Sequence, residues 1–174
     1  MSSESAVFDR HLRVIHACEK GATGVYWGHR LVASVFFRDL VPQLSEMHVH
    51  EMEHFALFGS LMQRRRTRTV VLPVLWCAGG IVYGFFTALG GRKAVWKSTA
   101  VIESIVEREL LQAAAFFATR DPEVHAAIRT ILLDEIQHKR QGEANSPDTG
   151  KLGAVVGSAA QVGAATSKKL AERL

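Results

Sequence analysis

Two copies of one spacing of glutamate and histidine constrain the fold of this chain more than any other feature. The segments Glu51-Met-Glu-His54 and Glu135-Ile-Gln-His138 are both Glu-x-x-His motifs, and Glu19 and Glu103 each lie 32 residues before one of them. A shift of 84 residues superimposes the whole first set on the second. Because residues three apart share a helical face, each motif can offer a carboxylate and an imidazole to one metal ion. The repeat therefore indicates two helical pairs that face each other.

The rest of the chain is typical of helices and shows little β-type alternation. Asp121 followed by Pro122 is a helix start, with the aspartate as N-cap and the proline in the first helical position. The polar stretch 143–150 is a link before a last helix that is rich in alanine and glycine. The predicted helices cover approximately 6–37, a segment after Pro42 through 65, 93–117, 122–141 and 151–174.

The four glutamates of the repeat lie on the apolar faces of their predicted helices. Glu19, for example, shares its face with Leu12, Ile15 and Tyr26. A buried carboxylate is costly unless it is paired or bound to a metal, and two divalent ions balance four carboxylates. The pattern predicts an all-α, ferritin-like four-helix bundle with a di-iron carboxylate site, although manganese is also compatible with these ligands. The predicted metal ligands are Glu19, Glu51, His54, Glu103, Glu135 and His138.

Several other polar residues are weaker candidates, and no catalytic residue beyond the metal ligands is predicted. Glu107, one turn after Glu103, is a competing ligand or an outer partner. His16, three residues before Glu19, is either an outer partner or an ordinary half-buried histidine. Solvated faces or helix interfaces are the expected places for the remaining acidic residues Glu46, Glu53 and Glu109.

The segment 69–91 carries no charged side chain and is long enough to cross a bilayer. However, Pro73 and several glycines interrupt it, and basic residues flank it on both sides. Since membrane orientation normally follows a one-sided excess of basic residues, symmetric flanks favour a segment that dips into one leaflet. We therefore expect a hydrophobic insertion that contacts the membrane peripherally, and a buried core hairpin is the alternative.

Composition bounds the remaining possibilities. With 48% hydrophobic and 22% charged residues, the 174-residue chain is predicted to form a single globular domain over 1–174. A net charge of +4 is too small to indicate nucleic-acid binding, and no nucleic-acid motif is present. Cys18 and Cys77 form no metal-binding or redox pattern, and residues 1–13 lack the apolar core of a signal peptide. We expect a reducing compartment, in the cytosol or on the inner face of a membrane.

With these residues in place, the chain resembles the demethoxyubiquinone hydroxylase family of ubiquinone biosynthesis, from about Leu12 to Gly142 and more loosely in the tail. The glutamates of the repeat and their flanking residues carry the resemblance, at the family's spacing. The matching segments are Arg13–Ala22 with Tyr26, Glu51–His54, Leu61-Met62, Arg66-x-Arg68, Leu72–Trp76, Gly84–Gly91, Glu103, Asp134–His138 and Ala171–Leu174.

The resemblance implies a di-iron monooxygenase that hydroxylates the ring of a polyprenylated methoxy-benzoquinol with dioxygen. It also implies bridging roles for Glu51 and Glu135, terminal roles for Glu19 and Glu103, and one histidine on each of two iron ions. NADH or the quinol would supply electrons. The family places such a protein on the cytoplasmic face of a bacterial inner membrane or the matrix face of the mitochondrial one. Where the family has a His-Tyr pair, this chain has Glu109 and Leu110.

The residues alone leave other functions open. A ferritin-like iron-storage protein, or another di-iron oxidase such as a peroxide-reducing enzyme, would use the same ligands. Neither requires an uncharged segment as long as 69–91. A homodimer or a quinone-delivering partner would also cover an apolar surface of this kind.

Overall fold

A computed structural model describes residues 3–173 of the chain, and residues 1, 2 and 174 of the predicted domain lie outside the described residues. Within the described range the chain forms six α-helices and no strand, which confirms the predicted all-α class. A single 3-10 turn at Arg38–Leu40 joins the first two helices. The helices are α1 (Ser3–Phe36), α2 (Val41–Arg64), α3 (Val74–Leu89), α4 (Arg92–Phe117), α5 (Pro122–Ala144) and α6 (Gly150–Arg173).

Helices α1, α2, α4 and α5 form the four-helix bundle, in which α1 packs on α2 and α4 packs on α5. The predicted start of α5 is confirmed, since Asp121 Oδ1 accepts a hydrogen bond of 3.0 Å from the amide of Val124. Two apolar clusters fill the bundle at different heights. One contains Leu12, Phe58 and Phe117, among others, and the other is centred on Tyr26, Met47 and Trp96. On α1, α2 and α4 the predicted ligands come from the helical turns between these clusters, and on α5 they follow the cluster that contains Phe117.

The uncharged segment forms one helix, α3, so the alternative of a hairpin is wrong. Helix α3 packs along α1 through glycines on both helices. A Cβ atom added to Gly84 would lie 2.2 Å from the carbonyl oxygen of Val25, and one added to Gly24 would lie 2.1 Å from that of Cys77. The two backbones therefore touch, which requires residues without a side chain at these positions.

The opposite face of α3 is apolar and exposed. No helix among residues 3–173 is long and apolar enough to cross a membrane. The exposed side chains of this surface, which we call the α3 face, belong to Val74, Leu75, Val82, Phe85, Phe86 and Leu89.

Replacement of the buried glycine is expected to disrupt the contact between α1 and α3. Gly84→Ala places a methyl group against the backbone of α1, and we expect the free energy of unfolding to fall by about 1–3 kcal/mol. The matched control is Gly79→Ala on the same helix, where no atom lies within 4 Å of the added Cβ. This control should be neutral or stabilising by up to about 1 kcal/mol. Urea denaturation followed by circular dichroism measures both, and equal effects would contradict the packing.

Candidate metal centre

The structure brings all six predicted ligands together at the centre of the bundle. Apolar residues of the two clusters lie on both sides of the ligands in α1, α2 and α4 and before them in α5, so the polar side chains share the inward face. The four glutamate side chains have no exposed surface, and the two histidines are 5% and 2% exposed. One glutamate comes from each of the four bundle helices, and each histidine follows its glutamate on α2 or α5. The members are Glu19, Glu51, His54, Glu103, Glu135 and His138.

The six residues form two overlapping groups, each able to surround one metal ion. Within each group, one ligand atom per residue lies within 4.8 Å of the others. The first group adds Glu19 and His54 to a shared pair of carboxylates, and the second adds Glu103 and His138. The shared pair is Glu51 and Glu135. Carboxylates that belong to both groups are the ones that can bridge two ions.

The donor atoms of these residues face one another without well-formed hydrogen bonds; His54 Nδ1, for example, lies 3.0 Å from Glu135 Oε1. Nine of them are buried with no hydrogen bond of acceptable geometry in the described part of the chain. A buried polar atom without a partner costs about 1–3 kcal/mol, and more when it is charged. Nine such atoms converging on one point fit a site that binds cations. They are one or both side-chain oxygens of all four glutamates and Nδ1 of both histidines.

Comparison with known proteins identifies the family. The family model described as "Ubiquinone biosynthesis protein COQ7" matches residues 6–171. The chain belongs to this family.

Curated relatives cover nearly the whole chain. It is 31% identical over 172 residues to the 3-demethoxyubiquinol 3-hydroxylase of Rhodospirillum rubrum, covering 99% of this chain and 81% of the relative. It is 28% identical over 173 residues to the human NADPH-dependent 3-demethoxyubiquinone 3-hydroxylase, mitochondrial, with coverage of 97% and 79%. The Dictyostelium discoideum protein of the same name is 27% identical over 171 residues, with coverage of 97% and 78%. The named relatives are hydroxylases of ubiquinone biosynthesis.

Within this family member, the residues around the cluster have distinct roles. The hydroxyl of Tyr26 donates a hydrogen bond to Glu103 Oε1, which orients that carboxylate. His54 Nε2 lies 3.2 Å from Asp134 Oδ2, and His138 Nε2 lies 3.1 Å from His50 Nδ1. Contacts of this kind orient metal-binding histidines.

Asp134 and His50 are functional candidates that sequence reasoning missed. Each directly precedes the glutamate of a Glu-x-x-His motif, and the two are related by the same shift of 84 residues that relates the ligands. Extending the repeat by one position would have found them. Their contacts cross between helices, since Asp134 of α5 contacts the histidine of α2 and His50 of α2 contacts the histidine of α5.

The weaker candidates lie outside the cluster. His16 stacks on the ring of Phe55 with centroids 4.1 Å apart, and burial together with the charge of Lys20 lowers its pKa to about 4. Glu107 forms a salt bridge with Lys139. Among the described residues, neither His16 nor Glu107 has a hydrogen bond or ion pair with a predicted ligand. Two of the remaining acidic residues, Glu46 and Glu53, are exposed, as expected. Glu109 lies at a helix interface, where its carboxylate is 2.7 Å from Lys168 of α6.

The electrostatics of the cluster favour protonated carboxyls in the absence of metal. Burial raises the pKa of all four glutamates, and for Glu51 and Glu103 repulsion from neighbouring carboxylates raises it further. Burial alone would lower the pKa of His54, but the carboxylates of Glu135 and Glu19 raise it to about 11. Burial lowers the pKa of His138. The four glutamates and His54 therefore bind protons more readily than the same side chains do in water.

Metal binding is expected to displace those protons. Because burial raises the pKa of the four glutamates and their carboxylates raise the pKa of His54 to about 11, a divalent ion must compete with protons for the same atoms. We expect ferrous ions to release at least one proton per protein at pH 7, because binding at Nδ1 displaces the extra proton of His54. Affinity should rise with pH, by about tenfold per pH unit for each proton released.

Anaerobic calorimetry in buffers of different ionisation enthalpy measures the proton count. Glu53→Gln is the matched control, because this exposed carboxyl lies on the same helix as Glu51 and His54. The control should leave the proton count unchanged. An affinity for ferrous ions that falls or stays constant as the pH rises would contradict the interpretation.

Proposed function

We propose that this protein is a monooxygenase that hydroxylates the ring of demethoxyubiquinol with dioxygen. The observation that carries the proposal is the pair of four-residue ligand groups that share Glu51 and Glu135, in a chain of the ubiquinone-biosynthesis family. The ring gains a hydroxyl at a carbon–hydrogen position, and the second oxygen atom leaves as water with two electrons and two protons. The names of the relatives favour hydroxylation over iron storage.

The six-residue cluster is proposed as the ligand set for two iron ions. Glu19, His54 and the shared carboxylates would hold one ion, and Glu103, His138 and the same shared carboxylates would hold the other. Four carboxylates balance the charge of two ferrous ions, and this carboxylate-rich set with one imidazole per ion suits iron. When bound, reduced iron supplies the electrons that activate dioxygen.

The residues around the cluster exclude water and fix the ligands. Apolar clusters lie on both sides of the ligands along α1, α2 and α4 and on one side along α5. The side chains of Tyr26, Met47 and Phe58 are at most 1% exposed and lie within one or two turns of a ligand. This enclosure keeps a reactive oxidant away from bulk water. The hydrogen bond from Tyr26 to Glu103 limits the positions available to that carboxylate.

A largely apolar cavity of about 770 Å³ supports a quinol with a long isoprenoid tail as substrate. It lies between α1, α3, α4 and α6. None of the six predicted ligands lines it, but Ala22 and Val106, one helical turn after Glu19 and Glu103, do. On the other side, Leu75 of α3 lines the cavity and is also part of the exposed α3 face. A lipid-soluble substrate could therefore pass from the surface to the neighbourhood of the ligands.

The electron source and location are proposed from the relatives. The human and Dictyostelium proteins are named NADPH-dependent and mitochondrial, which supports a nicotinamide dinucleotide as reductant and the mitochondrial inner membrane or its bacterial counterpart as location. The α3 face is proposed to rest on the membrane surface. Exposed Arg66, Arg68 and Lys93 flank that helix, and none of them forms a salt bridge within residues 3–173.

Vesicle binding tests the membrane contact. Val82→Ser with Phe86→Ser removes two side chains that are 57% and 66% exposed on the α3 face. We expect this double variant to bind anionic phospholipid vesicles about tenfold or more weakly than the unaltered protein. The vesicle-bound fraction in flotation measures the affinity. Leu133→Ser is the matched control, because this leucine is 69% exposed but lies on α5. Equal binding by all three proteins would overturn the assignment of this surface.

The quinone profile of a bacterium that lacks its own demethoxyubiquinone hydroxylase tests the reaction. Expression of the unaltered chain should lower the demethoxy intermediate and restore ubiquinone. Replacement of the shared carboxylates by Glu51→Ala with Glu135→Ala should reduce ubiquinone to the background of the host, because each would remove a ligand of both ions. Mass spectrometry of extracted quinones measures both species.

Glu53→Ala serves as the control, since this glutamate lies on the same helix and is exposed. It should restore ubiquinone as the unaltered chain does. If the intermediate persists although the purified unaltered protein carries two iron ions, the proposed substrate is wrong. If the double variant still forms ubiquinone, the proposed ligand set is wrong.

A further inference from the structure

In each histidine of the cluster, the ring nitrogen that faces away from the cluster contacts a residue of the other helix of the pair α2 and α5. His54 Nδ1 lies 3.0 Å from Glu135 Oε1 inside the cluster, while its Nε2 lies 3.2 Å from Asp134 Oδ2. His138 Nδ1 faces the cluster at 3.6 Å from Glu51 Oε1, while its Nε2 lies 3.1 Å from His50 Nδ1. The arrangement is reciprocal, but the two outer residues differ in chemistry.

We infer that Asp134 and His50 are positioning residues for the two histidine ligands, and that their difference makes the two ion positions unequal in affinity. The position that contains His54 binds its ion more tightly than the position that contains His138. This inference rests on the proposed metal centre and adds an order of occupation to it.

The geometry assigns the proton of each histidine. A metal ion needs the lone pair of the nitrogen that faces it, which is Nδ1 in both residues. The proton is then on Nε2, where His54 donates to the carboxylate of Asp134 and His138 donates to Nδ1 of His50. Both outer residues therefore fix the tautomer and the ring orientation of a ligand.

The outer residues affect ligand strength differently. A carboxylate that accepts a hydrogen bond from Nε2–H makes Nδ1 a stronger electron donor to a metal ion. A neutral imidazole in the same place strengthens Nδ1 less. His50 is itself stacked on His138 with ring centroids 5.3 Å apart, so the contact is steric as well as polar. The stronger histidine donor thus belongs to the first ligand group.

The unshared carboxylates differ in the same direction. Glu103 accepts a hydrogen bond from Tyr26, and a carboxylate oxygen that accepts a hydrogen bond donates less electron density to a metal ion. Glu19 has no such contact from outside the cluster among the described residues, and its Oε2 faces Nδ1 of His54 at 3.6 Å. Because Glu51 and Glu135 are common to both groups, only the unshared residues distinguish them. All of these differences favour the position of Glu19 and His54.

Stepwise titration of the metal-free protein with Fe²⁺ alone, under anaerobic conditions, tests the inference. Asp134→Ala should weaken the first binding step by about 10- to 100-fold, and His50→Ala should weaken only the second step by a similar factor. Asp134→Asn and His50→Gln retain an acceptor and should recover part of the loss. Mössbauer spectra after one equivalent of ⁵⁷Fe²⁺ should show a single iron environment that Asp134→Ala alters and His50→Ala does not.

Glu53→Gln is the control for charge and helix position, and circular dichroism checks that each variant is folded. Two equal binding steps in the unaltered protein, or equal effects of both alanine variants on both steps, would overturn the inference and leave the metal centre standing. Failure of the unaltered protein to bind two ions would instead overturn the proposed function itself.

Discussion

Four glutamates with no exposed surface meet inside the bundle, and the cost of burying them determines what the surrounding structure must do. Burial raises the pKa of each, and their mutual repulsion opposes ionisation of the whole group in the absence of cations. Apolar clusters above and below hold the helices in the register that makes the side chains converge. The same apolar clusters limit the access of water that would otherwise hydrate the carboxylates.

Helix α3 connects this polar centre to the surface. Its glycines bring its backbone against α1, which leaves one side of the helix facing the apolar cavity and another facing outwards. A bulkier residue at Gly80 or Gly84 would separate the two helices and change the shape of the cavity. A packing requirement of the backbone therefore also shapes the space proposed for the substrate.

The candidate ligands were predictable because ligands that share a helical face recur at fixed spacings in the sequence. Glu51 and His54 are three residues apart, and this local spacing predicts a shared face before any tertiary structure is known. The bounds of the helices were predictable for similar reasons, and the N-cap at Asp121 lies where its residue type indicates. The contacts of Asp134 and His50 were not predictable to the same degree. They depend on how far α2 and α5 are rotated about their axes, and no local spacing records that rotation.

By itself, the sequence determined the all-α class, the four bundle helices and the six residues that share an interior. It did so because helical periodicity and the cost of a buried charge are local properties that a single segment displays. Only the tertiary structure decided that 74–89 is one helix packed on α1, that a cavity lies between α1, α3, α4 and α6, and that His54 and His138 have different outer partners. These features arise from the distance and rotation between helices, which result from the packing of many side chains at once.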